Sequence, residues 1–414
     1  MKQKNITFVT PIYLPAPLYG SDNAVRILAE EFVRVGHNVS IITSDAHTPR
    51  YWYDPFFGKK IPSDAASLIN GVKVIRLRSN QLISSLTFML SRLAGPLLHI
   101  TMRSMLDIIS NGPYLIGLGD VLKSEDVDVV HCSPFPLYIN KQVVDAVSNL
   151  VKKPKVIFTP FFHTHVSTYH NFELGRLMKH ADVIHAVSNA EKQDIESLFP
   201  ESRGKVQVIP LYLRTANLHG ESELETDIVK FKQKYHLVGK KIVLIAGLKG
   251  QMKGALDTLA AVQELYRKDN TIVLVAIGHS TTEWNEMLRS IDGKAFLRDF
   301  GYVDEHLKEV IFASCDVFCM PSKSETFGYV YLEAWHKKKP VIASDIPAMR
   351  ELIQYNNGGL LVRFGSRSAI KSAIERLIEH PVLSKTLGEH GYDALTAKYS
   401  MESVFLQYCQ MFIN

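Results

Sequence analysis

Residues 321–334 read Pro321-Ser322-Lys323-Ser324-Glu325-Thr326-Phe327-Gly328-Tyr329-Val330-Tyr331-Leu332-Glu333-Ala334. The run before them, Asp316 to Met320, is short and apolar, which predicts a buried strand of a parallel sheet. Pro321 to Glu325 then forms the turn at its carboxyl end, and from Gly328 onward the pattern alternates too little for a strand and reads as helix. Open α/β sheets bind their ligands in the crevice outside the carboxyl ends of the strands. The amides of Phe327, Gly328, Tyr329 and Val330 are therefore expected to face that crevice as a site for anionic oxygen. Glu325 on the turn and Glu333, eight residues on and about two helical turns along, approach one ligand from different ends. Carboxylates accept hydrogen bonds from sugar hydroxyls. Spacing alone also allows an acid at the helix start beside a solvated helix acid.

Outward from this segment the chain falls into two strand-and-helix series. The first begins with Ile6 to Thr10, a Pro- and Gly-rich loop from Pro11 to Ser21, a helix from Asn23 to Val35 stopped by Gly36, and the strand Val39 to Thr43. Strands are expected at Val72 to Leu77, Val127 to His131, Val156 to Thr159, Val183 to Val187 and Val206 to Ile209. The polar stretch from Leu213 to Lys241, with Glu221, Glu223, Glu225 and Asp227, separates two cores. A second series follows, with strands at Ile242 to Ala246, Ile272 to Ile277, Phe296 to Phe300, Val317 to Met320, Val341 to Ala343 and Leu360 to Val362. A length of 414 residues suits two α/β domains of about 200 residues each.

Composition narrows the function classes. The charge of +5 is mild for the length and comes without an aromatic and basic ribonucleoprotein signature, so nucleic acid is not an expected partner. Basic clusters at Arg76, Arg78, Arg92 and Arg103, and at Lys337 to Lys339, read first as solvated faces. Cys132, Cys315, Cys319 and Cys409 are few and scattered, which fits a reducing cytoplasmic setting. The start, Met1 to Asn5, leads directly into a strand, so no signal peptide is expected. The apolar stretch Leu82 to Leu122 is broken by Arg92, Pro96, His99, Arg103 and Asp107 and reads as amphipathic helices rather than a membrane span.

The segment 321–334 resembles the Glu-x7-Glu signature of the retaining nucleotide-sugar glycosyltransferases of family GT4. Other resemblances run along nearly the whole chain in the same order. They are Gly36-His37-Asn38-Val39, Ala181-Asp182-Val183-Ile184 with Ala186-Val187-Ser188, Gly247, Lys253-Gly254 and Gly301-Tyr302-Val303. The resemblance implies the GT-B fold: two Rossmann-like doubly wound domains facing a central cleft. It implies an acceptor domain over residues 1–212, a donor domain over 213–396 and a terminal helix over 397–414 crossing back to the first domain. Glu325 would contact the donor sugar, Glu333 the nucleotide ribose, and the amides Phe327 to Val330 the sugar and diphosphate. Gly20, Gly247 and Val303 would line the donor, and Lys253 together with Lys249 would hold its diphosphate.

The chain departs from the family pattern in places. The family's Arg after the first Gly of the loop 247–254 is Leu248 here, with a cation only at Lys249, and a point-charge Lys cannot reproduce the bidentate fork of Arg. The loop also lacks Gly-x-Gly-x-x-Gly, which removes the main support for a nicotinamide or flavin site, and no cofactor is expected beyond the donor itself. The first loop has Gly20-Ser21 where Gly-Gly is common. His163, with His165 close behind, follows the strand Val156 to Thr159 where the family often places a histidine near the transferred sugar. Asp126-Val127-Asp128 matches Asp-x-Asp as text but leads into a strand, so a metal is not expected.

The implied activity is sugar transfer from a nucleotide-diphosphate sugar to a glycan, lipid-linked or small-molecule acceptor with retention, in surface polysaccharide or glycoconjugate synthesis. His163, Lys253 and Glu325 are the catalytic candidates. Alternatives are a nucleotide-sugar epimerase or glycoside phosphorylase on the same fold, or a non-catalytic partner subunit, which Leu248 permits. The interspersed apolar residues and arginines of Leu82 to Leu122 suit either the interface of an anionic leaflet or helices packed on a sheet.

Overall fold

The computed structural model describes residues 2–413 except 19, 55, 57, 63–66, 94–97, 164, 165 and 215–220. The chain forms two compact units, Met1–Ile209 with Leu406–Asn414, and Pro210–Phe405. In the first unit an eight-stranded sheet is built from β1 (Asn5–Val9), β2 (Asn38–Ser44), β3 (Leu68–Ile69), β4 (Val72–Leu77), β5 (Val129–Cys132), β6 (Lys155–Phe158), β7 (Val183–Ala186) and β8 (Val206–Val208). Their order is β3-β4-β2-β1-β5-β6-β7-β8, parallel except for the antiparallel pair of β3 with β4. The second unit holds a six-stranded parallel sheet from β9 (Lys241–Ala246), β10 (Ile272–Ile277), β11 (Leu297–Gly301), β12 (Val317–Cys319), β13 (Val341–Ser344) and β14 (Gly359–Val362), in the order β11-β10-β9-β12-β13-β14. Each is a doubly wound sheet. The chain reverses its direction of travel at β1/β5 in one and at β9/β12 in the other, and such reversals are where these sheets bind ligands.

The strands are apolar because helices cover both faces. All of β10 is buried, as is every residue of β9 after Lys241. The helix Ala255–Lys268 directs Leu259, Val262 and Leu265 onto the second sheet, a period that buries one face.

Several boundaries differ from the sequence-based expectation. The first helix runs Gly20–Arg34, so Gly20 and Ser21 sit in its first turn, where Asp22 also complements the positive helix end. β3 has only two residues, too few for any periodicity to show. The units meet at Ile209/Pro210, slightly before the expected break at 212, and the terminal element is a separate helix, Met401–Ile413, which follows the helix Pro381–Lys398. Leu213 pairs with Ser400 as an isolated parallel bridge, which breaks the helical run between them. From Leu406 onward the last helix belongs to the first unit, where Phe412 packs against Phe8, Phe32 and His131.

The first core also encloses a polar chain. His131 Nε2 lies 2.7 Å from Thr159 Oγ1, which lies 2.9 Å from His185 Nδ1, and His185 Nε2 donates to the Ile209 carbonyl at 2.7 Å. That last bond leaves His185 Nδ1 as an acceptor, so the Thr159 hydroxyl donates to it and accepts from His131. Both imidazoles are neutral, pulled by burial to about 3 for His131 and about 4 for His185. The four cysteines are free and buried.

Candidate active site

Four loops gather at the carboxyl edge of the second sheet, and backbone bonds hold them together. Residues 247–254 leave β9, residues 278–281 leave β10, residues 302–304 leave β11 and residues 320–328 leave β12. Lys249 N donates to His279 O at 2.8 Å, Thr281 Oγ1 to Lys249 O at 2.7 Å, and Lys323 N to Met252 O at 2.8 Å. Gly247 N donates to Ile277 O at 3.0 Å. Gly254, at φ +71°, presses against Pro321, and a Cβ there would stand 2.3 Å from the Pro321 carbonyl oxygen. Only glycine permits that approach. The loops after β9 and β12 therefore flank the reversal point in contact.

Lys253 and Glu325 close this contact. The Lys253 ammonium lies 2.7 Å from Glu325 Oε2, with the two side chains 32% and 14% exposed. Glu325 stands just before Gly328, which begins the helix Tyr329–His336 at φ +91°. A Cβ on Gly328 would strike the Tyr331 ring at 2.5 Å. Tyr331 is fixed there because its hydroxyl donates to the Met320 carbonyl at 2.5 Å, and burial raises its pKa well above the ordinary tyrosine range. Phe327 is buried, while Tyr329 and Val330 are half-buried at the first helical turn. The amides of such a first turn lack intrahelical acceptors.

Glu333 lies farther along the helix and reaches a different element. Its Oε1 is 2.9 Å from the ammonium of Lys308, on the helix Glu305–Ser314 that follows Val303 and is capped by Asp304. Lys308 also pairs with Glu305 at 2.7 Å. Burial alone would lower the Lys308 pKa, but the two carboxylates outweigh it and hold the group above the usual lysine range. Tyr302, next to Val303, stacks its ring on His279 with centroids 5.5 Å apart.

Lys249 requires a correction. Its side chain has no exposed surface; the ammonium is bound to Asp299 Oδ1 and lies 5.4 Å from the Trp284 ring centroid, while Trp284 Nε1 donates to Asp299 Oδ2 at 2.8 Å. The expected diphosphate cation is thus a tie between the loop and β11. Leu248, in the position of the family's Arg, is exposed instead. Sequence reasoning missed Asp299, Trp284 and Lys308. Asp299 left one signal, a charge inside a short strand, whereas Lys308 is a surface lysine like many others until its helix is placed.

Gly20 and His163 belong to the first unit. A Cβ at Gly20 would meet no atom within 4 Å. His163 is half-buried on the loop after β6, its ring edge-on to Tyr169 at 6.1 Å. The adjacent Phe162 amide donates to Glu191 Oε1 at 2.6 Å, and the Val187 amide to Glu191 Oε2 at 2.7 Å. Burial raises Glu191 to about 7 against the pull of those two amides. His165 lies outside the described residues. Asp126 and Asp128 sit at the opposite, amino-terminal edge of the sheet, both paired with Lys152 at 2.9 and 3.0 Å.

The segments Gln81–Leu93 and Ile100–Ile109 form two helices packed on each other. Leu82, Leu86, Met89, Leu90 and Leu93 of the first are exposed, as are Met102 and Met105 of the second; Leu97 lies outside the described residues. No helix among the described residues is long and apolar enough to cross a membrane.

Known proteins share this fold. The structure of HepE from Anabaena in complex with UDP and glucose superposes with a TM-score of 0.69 at 14% identity, covering 99% of each chain. The architecture is that of the GT-B glycosyltransferases. Residues 19–215 match the family described as Glycosyltransferase Family 4, and residues 227–394 match Glycosyl transferases group 1. An uncharacterized glycosyltransferase of Methanocaldococcus jannaschii is 22% identical over 96% of this chain and 95% of its own. A phosphatidyl-myo-inositol mannosyltransferase of Mycobacterium leprae is 30% identical over 39% of this chain and 43% of its own. The chain belongs to the GT4-type glycosyltransferases.

Proposed function

We propose that this glycosyltransferase moves a sugar, with retention and without a metal ion, from a nucleotide-diphosphate sugar to a glycan, lipid-linked or small-molecule acceptor in surface polysaccharide or glycoconjugate synthesis. The observation that carries the reading is the Lys253–Glu325 pair at the β9/β12 reversal point, beside the first turn of the helix Tyr329–His336. It brings together a cation for a diphosphate, helix amides for its oxygens, and a carboxylate for a sugar hydroxyl. Glu333 takes the ribose with the oxygen not engaged by Lys308, and Gly247 and Val303 line the nucleotide.

On donor binding, Lys253 turns from Glu325 to the diphosphate, and Glu325 accepts from the sugar. As the glycosidic bond lengthens, the sugar gains oxocarbenium character and negative charge grows on the diphosphate, which Lys253 and the amides from Phe327 to Val330 stabilise. The departing oxygen assists deprotonation of the acceptor on the same face, and His163 contacts the transferred sugar. Lys249 has no part in this step. The metal-free reading is supported by the place of Asp126 and Asp128, at the strand-start edge and held by Lys152.

The Anabaena complex supports UDP as the nucleotide, and the Mycobacterium leprae relative supports a lipid acceptor. The exposed apolar face of Gln81–Leu93 supports peripheral contact with the cytoplasmic leaflet, since it carries Arg92 and no acidic residue stands between Asp64 and Asp107. The test is slow hydrolysis of a panel of UDP-, GDP- and ADP-sugars, followed by anomeric analysis of the transferred product. Isomerised donor without acceptor indicates an epimerase, a need for inorganic phosphate indicates a phosphorylase, and absence of nucleotide binding indicates a non-catalytic subunit.

A further inference from the structure

Tyr13, Thr43 and Arg76 meet at the carboxyl edge of the first sheet. Tyr13 is on the loop that leaves β1 toward Gly20; Thr43 and Arg76 are register partners near the ends of β2 and β4, so their side chains share one face of the sheet. Tyr13 and Thr43 are completely buried, yet neither hydroxyl has a hydrogen-bond partner. Arg76 donates through Nη2 to the Leu14 carbonyl, and its Nε and Nη1 are buried without partners.

Folded proteins rarely tolerate this. Each unsatisfied buried donor costs about 1–3 kcal/mol, and a guanidinium is seldom buried without a counterion. Burial lowers the Arg76 pKa and raises that of Tyr13, as expected for groups shielded from water. The carboxylate acting on Tyr13 is that of Glu30, which pairs with Arg26 at 3.0 Å. A cation and two hydroxyls thus lie together, and no carboxylate among the described residues pairs with Arg76.

We propose that Arg76, Tyr13 and Thr43 form a subsite for a phosphate group of the acceptor. Nε or Nη1 together with the second Nη2 hydrogen engages two oxygens as a fork, and the two hydroxyls reach others, a set that suits a tetrahedral oxyanion better than a neutral sugar. The proposal rests on the placement of the acceptor in the first unit, and it narrows the acceptor to phosphorylated molecules. A lipid phosphodiester and a soluble sugar phosphate share this chemistry.

The test uses the full chain carrying Lys253→Ala, which removes the proposed donor-site cation, titrated calorimetrically with inorganic phosphate. Arg76→Gln in this background should weaken phosphate binding at least about tenfold, with partial recovery in Arg76→Lys and a smaller loss in Tyr13→Phe. Phosphatidylglycerol vesicles, but not phosphatidylcholine vesicles, displace phosphate if the source is a lipid headgroup; no displacement by either assigns a soluble phosphorylated acceptor. Unchanged phosphate binding in folded Arg76→Gln overturns the subsite, and should that variant not fold, unchanged binding in Tyr13→Phe does so. UDP binding is measured separately on chains with Lys253 intact, so that failure of the donor reading appears there and leaves the phosphate result readable.

Discussion

Replacing Lys249 with Met separates a structural tie from a donor contact. The Lys249 side chain is wholly buried and Asp299 is 22% exposed, so loss of the ammonium leaves a largely desolvated carboxylate without its counter-charge. Breaking a buried pair from one side costs about 3–5 kcal/mol. Asp299 keeps the Trp284 indole at 2.8 Å and the Gly301 amide at 3.2 Å, which places the expected cost at the lower end, about 3 kcal/mol. For a unit the size of residues 210–405, each kcal/mol moves the melting temperature by about 2–4 °C, so a drop of about 6–12 °C is expected. Tryptophan fluorescence suits the measurement, because Trp284 and Trp335 lie in the second unit and only Trp52 in the first. The double variant Lys249→Met/Asp299→Asn should recover most of the loss, and the donor KM should change less than about twofold in either. A melting temperature within a degree or two of the parent, together with a donor KM raised about tenfold or more, would refute the argument and return Lys249 to the donor.

Glu325→Ala should lower kcat at least about 100-fold, about 2.7 kcal/mol, while Glu333→Ala should raise the donor KM more than it lowers kcat; steady-state kinetics on folded variants checks both, and near-parental turnover in Glu325→Ala counts against the site. Transfer activity should survive EDTA, and a loss restored by magnesium or manganese would reveal a metal-assisted donor site. His131 and His185 have folded pKa values depressed below 6.5, so their stabilising contribution is present above that pH and is lost as pH falls toward about 4 and then 3. Glu191, raised to about 7, acts oppositely between pH 4.5 and 7, which leaves a net loss of about 1.4 kcal/mol per pH unit as pH falls from 6.5 to 4.5 from these three groups. Denaturant midpoints at pH 7 and 5 should show this slope, His131→Gln should flatten it, and equal slopes in both proteins would contradict the buried neutral relay. The full chain should float with phosphatidylglycerol liposomes at low salt and lose that association on Arg92→Glu with Arg103→Glu; no flotation would leave the exposed helices without a membrane role.

Strand positions were legible because a buried parallel strand is a short apolar run, and the second sheet departs from the sequence reading by about one residue per end. Side-chain commitments were not legible. Lys249 and Lys253 stand in one loop and look alike in sequence, yet one is sealed beneath Trp284 and the other reaches Glu325 across a contact that Gly254 permits. That difference is fixed by Asp299, fifty residues from Lys249 along the chain, and local pattern contains no information at that range. The spacing of Glu325 and Glu333 identified a segment, but their partners Lys253 and Lys308 come from other elements, so the two glutamates are held apart by opposite neighbours. The unpaired donors of Arg76 are invisible in sequence, where it is one more arginine in a basic stretch.

The first unit is made from the beginning and the end of the described chain, with the second inserted between Ile209 and Leu406. Phe8, Phe32 and His131 await Phe412 to finish their packing, whereas every strand of the second sheet has been synthesised by Val362. During translation, therefore, the later unit is the earlier one to be completed, and the first must remain open at that aromatic cluster until the final helix arrives. A released chain truncated after Phe405 would contain the whole second unit in protease-resistant form and a still labile first one. Quality control acting on newly made chains would thus meet the first sheet, with its half-built aromatic core, as the exposed species.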